Sequence, residues 1–167
     1  IVEAQFRIAA GATLASIGLA APPASRGFAI QARVVAQGTG TFTAYREPSG
    51  PGVRVDACGY LGLAPPPQFD PLFAKLVCRS NSSGSFESAV DRTLRALDEF
   101  QVAGVPTNRE QLRAILEHPE FRAANARTSL LAEAPELAQP RPRPAGDDAQ
   151  HALRFLDQQA AALMKGA

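Results

Sequence analysis

Apolar positions recur every second residue through FAIQARVVA (28–36). Phe28, Ile30, Ala32 and Val34 alternate with Ala29, Gln31 and Arg33, the period of a strand with one buried face. GTFTAYRE (40–47) alternates again through Phe42 and Ala44, and the Gly-rich GTG before it predicts a hairpin with the first strand. Pro48, Gly50, Pro51 and Gly52 mark a turn into a short strand, VRVD (53–56). FAKLVC (73–78) is a fourth strand candidate.

Beyond residue 80 the period lengthens to that of a helix. Phe86, Ala89, Val90, Thr93, Leu94, Leu97 and Phe100 form one stripe, with Ser85 placed to cap its start and Gly104 beyond its end. TNRE (107–110) reads as a capping box, Thr107 at N-cap and Glu110 at N3, opening a helix that turns Leu112, Ile115 and Leu116 inward. Pro119 is expected to stop it. His118, at that helix end, is given the role of a cation favoured by the dipole. A short helix is predicted over 128–134. Val2, Phe6, Ala9 and Leu14 predict an N-terminal helix over 1–17, followed by the Pro-interrupted GLAAPPASR (18–26). A Pro-rich spacer, AQPRPRPAGDD (138–148), precedes an amphipathic stretch capped by Asp147 or Asp148. Strands first and helices after, without βαβ alternation, make an α+β plan: a small antiparallel sheet packed with helices, and a helix at each end.

Composition narrows the function more than the fold. Seventeen Lys and Arg stand against sixteen Asp and Glu, so a net charge of +1 supplies no bulk field for nucleic acid or anionic membrane. There is no Trp and there are only two Tyr, so stacking platforms for bases are scarce. Cys58 and Cys78 read as buried thiols, and His118 and His151 are too far apart to suggest a zinc site. No apolar run is long enough for a membrane span. Glu3 stands where a signal peptide carries positive charge, which points to the cytoplasm. The chain begins at Ile1, inside the predicted first helix, as a piece of a longer polypeptide would.

One residue carries candidate chemistry. In Val53–Arg54–Val55 the strand period puts Arg54 opposite the two valines, just after a tight Pro/Gly turn, with Asp56 on its own face and able to orient it. Two readings stand: a solvated or salt-bridged strand arginine, or a planar guanidinium offered to a carboxylate, bicarbonate or enolate. The segment APPPQFDP (64–71) is expected to be an extended connector, and Asp70 and Lys75 are assigned to structure. No nucleophile elbow, paired carboxylates or Gly-rich phosphate loop accompanies them.

The order of several segments adds to this. EAQFRIAAG (3–11), RGFAIQAR (26–33), PSGPGVRVD (48–56), GYLGLAPPPQFDPLFAKL (59–76), ALDEFQVAGVPTN (96–108) and LEHPEF (116–121) succeed one another as at the end of biotin carboxylases. Over roughly residues 1–137 the chain resembles the biotin carboxylase C-terminal domain of a multi-domain acyl-CoA or pyruvate carboxylase. The resemblance implies a reaction in which MgATP activates bicarbonate and biotin is carboxylated at its ureido nitrogen. Biotin, ATP and Mg2+ are the implied cofactors, the metal and most ATP ligands being expected outside this segment. Arg54 matches the family arginine that holds bicarbonate and stabilises the biotin enolate, and Leu130 matches an apolar position near the adenine.

The same resemblance implies an organisation. Residues 1–24 would close a preceding ATP-grasp region, 25–137 would be the C-terminal domain, 138–148 a linker and 149–167 the start of a following helical segment. Implied partners are the ATP-grasp region, a biotin carrier domain, a carboxyltransferase and bicarbonate, in a homo-oligomeric enzyme, with this segment alone not expected to turn over. Three features depart from the family: Phe28 stands where His is common, the loop after Arg33 is short, and SNSSGS (80–85) replaces a segment used in dimer contacts. The changed loop and the polar SNSSGS segment motivate an alternative, a non-catalytic scaffold or interaction module derived from that domain.

Overall fold

The computed structural model describes residues 1–22, 24–81 and 83–138 of the 167-residue chain. The predicted spacer beyond Ala138 and the terminal helix lie outside these residues. Helix α1 spans Val2–Ala9 and is followed by a 3-10 turn at Ala15–Ile17. Then come β1 (Ala29–Val35), β2 (Ala44–Arg46), β3 (Val53–Ala57), β4 (Leu72–Arg79), α2 (Phe86–Glu99) and β5 (Gln101–Ala103). Three shorter helices follow: α3 (Arg109–Glu117), α4 (Pro119–Arg122) and α5 (Leu130–Glu133).

β4 is the centre of an antiparallel sheet ordered β1-β4-β3. Its inner face carries Leu76 and Cys78, which pair in register with Ala32 and Ile30 of β1 and with Val55 and Val53 of β3. α2 covers that face through Ala89, Val90, Thr93, Ala96 and Leu97, all buried. Ser85 caps the helix as its pattern predicts, its hydroxyl accepting from the Ser88 N–H at 3.2 Å. Thr93 is tolerated in this dry stripe because its hydroxyl donates to the Ala89 carbonyl at 2.7 Å.

The predicted hairpin is not formed. β2 pairs with β5, Tyr45 lying opposite Val102, in a separate two-stranded sheet. The chain after β1 is held elsewhere. Gln37 N–H donates to the Pro106 carbonyl at 2.8 Å and Thr43 N–H to the Ala103 carbonyl at 2.9 Å, so the chain is drawn to the turn after β5 instead of folding back on β1. Phe42, 1% exposed, then meets Phe73 at 4.9 Å between ring centres, with Tyr45 and Phe100 completing an edge-to-face cluster. This cluster joins the small sheet to the large one. Burial, and after it the hydrogen bond to Glu47, raises the Tyr45 phenol above its ordinary range, so it stays neutral at physiological pH.

Other expectations are corrected by local geometry and by contacts remote in sequence. The N-terminal helix stops at Ala9, because Gly11 takes a left-handed φ of 92°, and none of its residues is buried among those described. Phe28 is half exposed at the end of β1, meeting Phe86 edge-on. The capping box does not form: Thr107 bridges to Ala36, and the N-cap falls on Asn108. That side chain is occupied elsewhere. It accepts from the Val35 N–H at 2.9 Å and donates to the Arg33 carbonyl at 3.0 Å, sealing the outer edge of β1. α3 ends at Glu117, just before Pro119 as expected; His118 is its C-cap and also the N-cap of α4, which Pro119 opens, and the His118 Nδ1 accepts from the Glu120 N–H. Arg113 lies buried between α2 and α3, ion-paired to Asp98 and, at 2.9 Å, to Glu117. Cys78 is buried, which raises its thiol pKa, but Cys58 is exposed just past the end of β3.

Candidate functional site

β3 begins where the PSGPG turn leaves it. Gly50 and Gly52 both take left-handed φ values, 118° and 78°, and the Val53 N–H donates to the Gly50 carbonyl at 3.1 Å. Gly52 also meets β4 closely, its carbonyl accepting from the Arg79 N–H at 2.9 Å. A Cβ there would run into the Arg92 guanidinium and stand 2.9 Å from the Arg79 carbonyl oxygen. That same Arg92 donates to the Arg79 carbonyl at 2.6 Å, tying α2 to the end of the sheet. Gly52→Ala is therefore expected to cost more than about 1 kcal/mol of stability. It should also lower any activity that depends on Arg54; thermal unfolding and turnover measured together check it.

From this anchored start Val53 and Val55 face the core and Arg54 faces out. The Arg54 side chain is 72% exposed, so it is not a buried ion-pair partner. Its Nη2 donates to Asp56 Oδ2 at 2.7 Å, the same-face neighbour that the strand period indicates. The hydrogen bond, with the carboxylate charge behind it, raises the Arg54 pKa, which keeps the guanidinium charged throughout the accessible pH range. One edge of the guanidinium is thus oriented by Asp56 while the remaining donors open to solvent, a fork suited to a planar oxyanion.

The rest of this open sheet face carries charges of both signs. Arg33, Lys75 and Asp56 lie in one row across β1, β4 and β3, and Gln31, Val77 and Arg54 in the next. Asp70 sits at the entry to β4, where Oδ1 accepts from the Leu72 N–H at 2.8 Å and Oδ2 lies 3.7 Å from Arg33. Asp70 thus has the structural turn role expected of it. Leu130 is not brought to Arg54. It is 8% exposed in a second small cluster with Ala134 and Leu137, packed against Ala114 and Ile115 of α3. No group of three or more His, Cys, Asp or Glu side chains among the described residues could hold a metal. No helix among them is long and apolar enough to cross a membrane.

Sequence reasoning isolated Arg54 and Asp56 but missed that Arg33 and Lys75 stand side by side on the same face. The signal was present as Arg33 in one strand and Lys75 in another, but their pairing needs the register.

Residues 31–133 match the family described as the biotin carboxylase C-terminal domain. The chain is 40% identical over 147 residues to a pyruvate carboxylase of Aspergillus terreus, a match covering 82% of this chain and 12% of that protein. It thus spans about an eighth of that relative's length. Among solved structures, the biotin carboxylase domain of a single-chain bacterial carboxylase is 43% identical, with a TM-score of 0.69 over 82% of this chain and 33% of that one. A single-chain, multi-domain long-chain acyl-CoA carboxylase is 36% identical, with a TM-score of 0.71 over 86% and 17%.

Proposed function

The chain belongs to the biotin carboxylase C-terminal domain family, and we propose that it serves as that domain within a biotin-dependent carboxylase, with Arg54 as its catalytic residue. The observation that carries the reading is Arg54 itself: a charged fork held on one edge by Asp56 at 2.7 Å, open on the other, on a strand fixed by a rigid turn. In this reading residues 1–24 close an ATP-grasp region, 25–137 form the domain, 138–148 link it onward, and 149–167 begin a helical segment. A biotin carrier domain and a carboxyltransferase complete a homo-oligomeric enzyme, placed in the cytoplasm.

The overall reaction is the ATP-dependent carboxylation of biotin by bicarbonate, for delivery to an acyl-CoA or a 2-oxo acid. When bound, biotin supplies a ureido nitrogen as the acceptor of the carboxyl group. Arg54 contributes two things from this chain. Its free N–H groups hold the bicarbonate anion in a fixed plane, and its charge stabilises oxyanion character that grows during carboxyl transfer. Because Asp56 and the turn set the guanidinium in advance, little reorganisation is needed as charge develops. Leu130 is assigned to the apolar wall beside the adenine of ATP. The metal's ligands and most contacts to ATP are assigned to the ATP-grasp region.

The alternative, a scaffold or interaction module descended from this domain, predicts a different parent molecule. Under the enzyme reading, the native polypeptide carrying this sequence has an intact mass several times that of these 167 residues. A mature native product of this size would overturn it in favour of the scaffold.

A further inference from the structure

The open face of the sheet carries a charge arrangement that Arg54 alone does not explain. Arg33 and Lys75 are directly opposite in the β1–β4 register. The Phe28 carbonyl faces β4, where it accepts from the Ser80 N–H, whereas the Arg33 carbonyl turns outward to Asn108. By strand alternation the Arg33–Lys75 pair is therefore of the non-hydrogen-bonded kind, the kind in which side chains stand closer. Like charges facing each other across a sheet are destabilising. The neighbouring carboxylates, Asp70 beside Arg33 and Asp56 across from Lys75, offset this only in part, both being solvent-exposed. Among the described residues Arg33 has one carboxylate within 4 Å, Asp70 at 3.7 Å, and both side chains are more than half exposed. Lys75 is half-buried and makes no ion pair within 4 Å among the described residues. Its other cross-strand neighbour, Asp56, is engaged by Arg54.

We infer that Lys75 and Arg33 form a second anion subsite beside Arg54, built for a phosphate-sized oxyanion. Three chemical facts point there. Two cations converging on one face suit an anion of charge greater than one. A half-buried ammonium and a guanidinium together provide a point charge and a planar fork, the pairing that phosphate oxygens accept. Arg54 is the diagonal neighbour of Lys75 across β3 and β4, a separation of roughly 7–8 Å between the two strand positions. The face thus presents two oxyanion positions side by side, bicarbonate-sized at Arg54 and phosphate-sized at Lys75 and Arg33. The inference deepens the proposed reading of the same face and rests on it for the identity of the first anion. In that reaction the phosphate released from ATP leaves as the carboxyl group is transferred, so inorganic phosphate is the natural probe.

The test reads Lys75 directly in the native polypeptide. An acylating, amine-selective reagent labels exposed lysines, and mass spectrometry follows Lys75 against the other lysines of the polypeptide. Inorganic phosphate should slow Lys75 labelling saturably while leaving the labelling of a free lysine derivative added to the same tube unchanged. Chloride at matched ionic strength should not protect, and bicarbonate should protect less well than phosphate. Arg33→Met should raise the half-protecting phosphate concentration by about tenfold or more, as loss of one charge-assisted contact requires, with Arg33→Lys restoring much of it. Protection that chloride reproduces, protection unchanged in Arg33→Met, or a Lys75 that resists labelling without phosphate each overturns the subsite. Failure of the Arg54 reading shows separately, as full biotin carboxylation by Arg54→Ala, and leaves the phosphate result to be judged independently.

Discussion

Arg54→Ala is expected to lower biotin carboxylation by the native polypeptide by about 10²–10³-fold, the scale seen when one preorganised oxyanion donor is removed. Folding should survive the change. The side chain is 72% exposed, and its one partner, Asp56, is itself about half exposed and remains solvated when left alone. Melting temperature is therefore expected to stay close to that of the unsubstituted protein while turnover collapses. Arg54→Lys should not restore it, because an ammonium cannot bond Asp56 and a planar anion in the same plane at once. The measurement is bicarbonate- and biotin-dependent ATP cleavage beside a thermal melt. Retained activity in Arg54→Ala would leave Arg54 a solvated strand arginine and remove the basis of the proposed mechanism.

Phe100→Ala is expected to do the opposite, destabilising the domain by about 3–5 kcal/mol, in the range for a large aromatic deleted from a tight core. Phe100 is fully buried just beyond the end of α2, and its ring meets Tyr45 at 5.7 Å and Phe73 at 6.3 Å. It therefore holds the last turn of the helix, the central strand β4 and the small sheet together. Removing it leaves a cavity bounded by three elements that cannot all move inward, so collapse is poor. Urea denaturation should show a lower midpoint with little change in slope. A loss below about 1 kcal/mol would mean that the two sheets are joined by something other than this aromatic cluster.

Neither prediction affects the other's readout, which follows from where the two residues lie. Arg54 is on the open face of the sheet and Phe100 is on the side covered by α2.

The local periods carried much of this molecule. Ile30, Ala32 and Val34 alternate because strand side chains repeat every two residues, and the stripe from Ala89 to Leu97 lies on one face because helices repeat every 3.6. The same alternation placed Arg54 opposite two valines and beside Asp56, both of which the structure shows. These relations span only a few residues, so they can be read without knowing the fold. The segments PSGPGVRVD, GYLGLAPPPQFDPLFAKL and ALDEFQVAGVPTN, taken together and in order, indicate the family from sequence.

Only the tertiary structure decided the rest, because the deciding partners are distant along the chain. Asn108 serves an edge of β1 from 73 residues away rather than a capping box. β2 pairs with β5, a strand too short for its own pattern to announce. Arg113 looks like a surface residue of a charged helix until Asp98 and Glu117 receive it between α2 and α3. Lys75 and Arg33 are unremarkable members of two separate strands until the β1–β4 register sets them face to face. Periodicity tells a residue which face it occupies, but register and helix docking decide what it meets there.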